Sequence, residues 1–230
     1  MTVEYNHEML NHSSFVIMIA ICSASGLAQT FNVDSGGGMS TPPTTDYGAA
    51  ADQPGVWNSV VFEQNNLLNT AGQATTVRYA TSSNSVILLG IDGAAPNDKL
   101  LMDSAMPVDP SDAAAVFSNL QPGLYDLYIY CWAGNLLGPK DVTIRAFTGA
   151  GQVVGGVRYG EQWPGQQVLG ETYDKLRVEV TPGDGQYIDI AIQAPGDFNV
   201  INGVQLVPVP APGALALAPA ALLAGRRRRR

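Results

Sequence analysis

Four turn-forming clusters cut the second half of this chain into short apolar runs. They are Gln121-Pro122-Gly123, Thr148-Gly149-Ala150-Gly151, Thr181-Pro182-Gly183-Asp184-Gly185 and Ala194-Pro195-Gly196-Asp197. Each supplies a proline that presets φ or a glycine that accepts positive φ, which is how a backbone reverses direction. The segments around them are rich in Val, Ile, Thr and aromatics, residues that suit a pleated, half-buried strand. The pattern predicts strands at 57–62, 75–79, 85–89, 125–132, 142–147, 152–159, 176–180, 187–192 and 200–207. Only 97–105 reads as a helix. Many short strands without an alternating helical pattern predict an all-β fold, an antiparallel β-sandwich of jelly-roll type over residues 29–207.

Both ends lie outside that pattern. Residues 15–21, Phe-Val-Ile-Met-Ile-Ala-Ile, form an apolar core of signal-peptide length, and Gly26-Leu27-Ala28 is a small-x-small cleavage site. The mature chain is expected to begin at Gln29, with 1–28 removed. At the other end Val207-Pro208-Val209-Pro210-Ala211-Pro212 leads into the apolar stretch 213–225, which stops at Arg226, Arg227, Arg228, Arg229 and Arg230. Positive charge resists transfer across an energised membrane, so the arginines would stay cytoplasmic and the preceding chain would lie outside. A spanning helix needs about 20 apolar residues, and that length here includes four prolines, 208, 210, 212 and 219. Proline breaks helices, so transient anchoring fits better than permanent residence.

This order of parts resembles the PEP-CTERM sorting tail of exported bacterial proteins. There a Pro-Glu-Pro-like motif precedes an apolar segment and an Arg-rich end. Pro210, Ala211 and Pro212 stand at the motif positions, with Ala211 in place of the central Glu. The resemblance implies a tail at 208–230, processing by an exosortase-type membrane transpeptidase, and delivery to the cell surface or an extracellular matrix. Read alone, an arginine run also fits nucleic-acid contact; the Pro-rich lead-in and apolar stretch favour sorting.

Without its ends the body keeps seven Lys and Arg against eighteen Asp and Glu, a net charge of about −11. Nucleic-acid binding needs a basic footprint, which this body lacks. Cys131 is its single cysteine, so no intramolecular disulfide can form. Its apolar strand setting suits a packed small hydrophobe. No histidine remains after residue 12, which excludes Ser-His-Asp and Cys-His arrangements and histidine zinc sites. Carboxylate-dependent polysaccharide hydrolysis stays open in principle, but nothing in the sequence singles out a pair, and the chain is read as no enzyme.

Phe31-Asn32-Val33-Asp34, Gly55-Val56-Trp57-Asn58, the run Leu120 through Pro122-Gly123-Leu124-Tyr125-Asp126-Leu127-Tyr128-Ile129-Tyr130, and Ile201-Asn202-Gly203-Val204-Gln205-Leu206 occur in this order. They resemble the galactose-binding-like β-sandwiches of exported bacterial proteins, which implies that fold over most of 30–207 and hints at carbohydrate. Side chains alternate across a strand. Tyr125, Leu127, Ile129 and Cys131 therefore suit the core, and Asp126, Tyr128, Tyr130 and Trp132 share the other face. That second face could be a sugar platform, or it could be buried with its hydroxyls bonded. Trp163, in the loop-like Glu161-Gln162-Trp163-Pro164-Gly165, is the aromatic expected to be exposed. Two acidic stretches, Asp92 with Asn97 and Asp98, and Asp103 with Asp109 and Asp112, offer oxygens to calcium, although neither has EF-hand spacing. No other cofactor is expected. The expectation is an exported structural or adhesive protein, with a lectin-like module bound to an extracellular polysaccharide as the alternative.

Overall fold

The computed structural model describes residues 29–210 apart from 38–40, 84, 109–112, 184–185, 195 and 197–198. The expected signal segment lies outside the described residues, as do Ala211, Pro212, the arginines 226–230, Asp109 and Asp112. In chain order the strands are β1 (Phe31–Asp34), β2 (Trp57–Ser59), β3 (Glu63–Gln64), β4 (Arg78–Thr81), β5 (Ile87–Leu88), β6 (Ser104–Val108) and β7 (Ala113–Ser118). There follow β8 (Gly123–Tyr130), β9 (Lys140–Thr148), β10 (Gly151–Tyr159), β11 (Tyr173–Val180), β12 (Ile188–Gln193), β13 (Asn199–Ile201) and β14 (Gly203–Pro208). Two short helices interrupt them, α1 (Pro96–Met102) and α2 (Gly134–Leu137).

The strands form a five-stranded sheet in the order β11-β8-β14-β1-β2 and a six-stranded sheet in the order β10-β9-β12-β7-β4-β3. A small third sheet, β13-β6-β5, flanks them. Pairing is antiparallel except between β1 and β2. A single buried cluster joins alternate residues of both large sheets, with Leu127, Ile129, Val204 and Leu206 from one and Ile144, Ala146, Ile190 and Ile192 from the other. This is the all-β sandwich expected from the turn pattern.

At one side the edge strands of the two sheets meet. The Gly156 amide donates to Asp174 Oδ2 at 2.5 Å. A Cβ on Gly155 would stand 2.0 Å from that oxygen and 2.6 Å from Leu176 Cδ2. The missing side chain lets β10 approach β11.

Several boundaries differ from expectation. The helix expected over 97–105 ends at Met102, because Ala105 and Met106 are drawn into β6, where Met106 pairs with Ile201. The strand expected over 57–62 breaks at Val60, whose amide turns to the Asp34 carbonyl at 2.9 Å. The strand expected over 200–207 divides at Asn202. β7 carries Ala113, Ala114 and Ala115, weak strand formers, and is held extended by β4 and β12 on either side. Among the described residues no helix is long and apolar enough to cross a membrane.

Candidate functional site

The inward face of β8 is as the alternation predicts. Tyr125, Leu127, Ile129 and, just past the strand, Cys131 are all buried. Cys131 Sγ donates to the Val200 carbonyl at 2.9 Å, and burial pushes its pKa up to about 12, so the thiol is a packing group.

The outward row is divided among different tasks. Asp126 lies between Lys175 Nζ at 2.9 Å and Arg177 Nε at 2.8 Å, both from the neighbouring β11. Burial pushes its carboxyl pKa up, but hydrogen bonds and charge from Arg177 and Lys175 prevail and hold it below the ordinary range. Tyr128 is half-buried, with Lys175 Nζ 5.1 Å from its ring centroid and the Tyr173 ring at 6.1 Å. Tyr130 is wholly buried. Trp132, beyond the strand end, is 1% exposed and packs edge to face on Trp163, with centroids 5.5 Å apart and planes at 86°. The four residues therefore form no single exposed platform, and the alternative of a covered face describes Tyr130 and Trp132. Trp163 is half-buried rather than free.

The other motifs singled out in the sequence converge on Tyr130. Its hydroxyl donates to Gln205 Oε1 at 2.5 Å and accepts from the Ala50 amide at 2.9 Å. Gln205 Nε2 donates to Asn32 Oδ1 and the Gly48 carbonyl, and Asn32 Nδ2 donates to the Gln53 carbonyl. Asn58 Nδ2 reaches the Asn32 carbonyl at 3.0 Å. Asn202 Oδ1 accepts from the Trp132 amide at 2.8 Å while its Nδ2 donates to the Met102 carbonyl. Satisfied buried networks of this kind specify a unique packing. These motif amides act as structural fasteners.

The feature with chemical potential is a cleft of about 330 Å³ at the end of the sandwich where β8 finishes. Asp92, Trp132, Asn135, Glu161, Gln162 and Trp163 line it. Three loops build it. Gly134 allows the Gly160 carbonyl to lie against α2, since a Cβ there would meet that oxygen at 1.8 Å. Asn135 Nδ2 donates to the carbonyls of Leu89 and Gly90, tying the Asp92 loop to α2. Trp163, followed by Pro164 and the positive-φ Gly165, folds over Trp132.

Two properties of the cleft residues bear on its chemistry. The indole nitrogens of Trp132 and Trp163 are both buried without a hydrogen-bond acceptor, as are six side-chain N or O atoms elsewhere among the described residues. Leaving a buried donor unpaired costs about 1–3 kcal/mol, and native structures contain few such groups. Asp92 and Glu161 are exposed, and among the described residues neither has an ion pair or hydrogen-bond partner.

The calcium expectation finds no convergence. Asp98 Oδ1 accepts from the Tyr47 hydroxyl and from Gln167 Nε2, and Asn97 Oδ1 accepts from Thr44. Asp103 takes the Ile91 amide at 2.6 Å and the Lys99 ammonium at 3.8 Å. Among the described residues no group of three or more Asp, Glu, His or Cys is arranged to hold a metal. Sequence reasoning named both tryptophans of the cleft but missed their meeting, and it missed Asp92, Asn135, Glu161 and Gln162 as its wall. The polar Glu161-Gln162 pair beside a loop tryptophan was the one local signal.

No protein-family model matches this chain, and no curated protein matches it. Among solved structures it is similar to a portion of Bacteroides uniformis beta-glucuronidase 2, bound covalently to a cyclophellitol-6-carboxylate aziridine, at 12% identity and a TM-score of 0.47. That likeness covers 79% of this chain and 18% of the other. A second structure, of Bacteroides uniformis beta-glucuronidase, is 14% identical with a TM-score of 0.40, covering 61% of this chain and 15% of that one. The chain thus spans less than a fifth of the length of each.

Proposed function

We propose that this chain is an exported, non-catalytic surface module with an adhesive role, holding a saccharide in the Trp132–Trp163 cleft. One observation carries the reading: the half-buried ring of Trp163 lines one cleft together with the exposed amide of Gln162 and the exposed carboxylates of Asp92 and Glu161, which have no partner among the described residues. A sugar supplies what such a wall lacks. Its hydroxyl oxygens accept from N–H groups, its hydroxyl protons donate to carboxylates, and its CH faces lie against aromatic surface. Export rests on the apolar segment 15–21 with its cleavage site and on the Pro-apolar-Arg tail. An exosortase-type enzyme acting near Pro210, Ala211 and Pro212 would release the body to the surface or matrix after transient membrane association.

The test is binding of the purified chain to a polysaccharide array, followed by calorimetry on the best ligand. Trp163→Ala is expected to weaken binding at least about tenfold, roughly 1.4 kcal/mol. Gln162→Ala, at an exposed position, should weaken it less while leaving the thermal midpoint unchanged. If neutral, acidic and basic glycans all fail to bind, the saccharide reading falls and a purely structural role replaces it.

A further inference from the structure

We propose, resting on the cleavage expected after Ala28, that Gln29 is a modification site and that exported molecules carry it as an N-terminal pyroglutamate. This is the five-membered lactam made from the residue's own amine and side chain. The step needs no co-reactant. The α-amino nitrogen freed by cleavage attacks the side-chain Cδ and a new N–C bond forms. The Cδ–Nε2 bond breaks, and Nε2 leaves as ammonia with the proton that the amine gives up.

The fold places Gln29 where the product suits its surroundings better than the reactant. Gln29 lines a cavity of about 230 Å³ with Phe31, Thr75, Thr76, Val77, Asn119 and Gln121. Phe31 and Val77 are buried and apolar, and the other four offer hydroxyl and amide groups. No described residue on that wall carries a charge, so an α-ammonium held there finds no carboxylate. A lactam has methylenes for the apolar side and one N–H and one C=O for the polar side. The new terminus also stands one residue from fixed backbone. The Thr30 carbonyl accepts from the Thr70 amide at 3.0 Å, and Phe31 pairs with Leu206. Gln29 is half-buried, and its side chain has no hydrogen-bond partner among the described residues. Closing the ring joins two groups of one residue and leaves β1 in place. The position gives the ring a use as well. β1 lies between β14 and β2, so an aminopeptidase that removed two residues would reach Phe31, the first paired residue of the strand. A lactam presents no free α-amine to such an enzyme.

The experiment takes the full chain, expressed in its native host, recovered from outside the inner membrane and cut before Asp residues for mass spectrometry. The first peptide should be 29–33, lighter than its sequence by one ammonia in most molecules. The same peptide at full mass overturns the proposal and leaves the cleavage reading standing. A terminus at any other residue overturns both. Gln121→Glu puts a carboxylate on the cavity wall at an exposed position. It should hold the amine protonated and slow ring closure in newly exported protein by at least about threefold at neutral pH. An unchanged rate overturns the part assigned to the cavity. Gln29→Ala cannot close the ring. It should keep the thermal midpoint, yet be shortened by an aminopeptidase that leaves the unaltered chain intact. Equal resistance of the two chains overturns the protective role.

Discussion

Asp34, at the end of β1, shows how far burial alone can move a side chain from its ordinary chemistry. One carboxyl oxygen accepts the Gly36 amide at 3.1 Å, and the other has no partner. Burial lifts its pKa from an ordinary 3.8 to about 7, against a smaller lowering by the Gly36 bond. The folded state therefore keeps the proton that the unfolded chain releases near pH 4. Its contribution to stability is complete below that pH, declines as pH rises toward 7, and stays lost above it. The difference corresponds to roughly 4 kcal/mol. Asp34→Asn, measured by urea unfolding across about pH 4 to 8, should flatten this part of the pH dependence. Parallel curves for the two proteins would show that Asp34 ionises normally in the fold.

At the scale of elements, β8 shows what the sequence made legible. A period of two places Tyr125, Leu127 and Ile129 on one face whatever the rest of the chain does, and that face is the core. The opposite face depends on segments distant in sequence. Tyr130 is covered through the Ala50 amide and Gln205, Asp126 is neutralised by β11, and Trp132 is capped by Trp163. No local pattern states those partners. β7 was hidden for the related reason that its alanines owe their extended form to neighbours. The cleft was illegible because its wall is drawn from three loops that only the folded sheets bring together. The motif glycine of β14 is a case where the residue type can be explained afterwards. A Cβ on Gly203 would stand 2.6 Å from the Val33 carbonyl oxygen and 2.7 Å from Leu101 Cδ1. The carbonyl belongs to the paired strand β1 and has little room to retreat. Gly203→Ala should therefore cost about 1–3 kcal/mol, seen as a lower urea midpoint at unchanged slope. An unchanged midpoint would mean that the β1–β14 pair yields freely.

At the scale of the whole molecule, strand register sets the chain ends and the cleft apart. Phe31 pairs with Leu206 and Pro208 with Tyr125, so the chain enters and leaves the sandwich side by side near the start of β8. β8 then runs eight residues to Tyr130, about 25 Å at the usual strand rise of roughly 3.3 Å per residue, and the Trp132–Trp163 cleft lies beyond it. Attachment through the chain end near Pro210, first to the membrane by the uncut tail and after processing to whatever receives that end, would thus hold the domain by one end and present the cleft at the other. Among the described residues, the last bond tying this segment to the sandwich is the Val209 amide on the Leu124 carbonyl at 2.8 Å, and Pro210 is exposed. A chain covering 29–210 should consequently keep its thermal midpoint within about 2 °C, because it retains the whole buried cluster of the described residues. It should bind the same saccharide with the same affinity. Expressed in the native host behind the same signal segment, it should move from the envelope fraction to the medium. Retention in the envelope without the tail would place the adhesive contact on the sandwich itself. A fall in the midpoint would show that the segment after Pro210 packs on the domain, and the separation of tether from cleft would no longer hold.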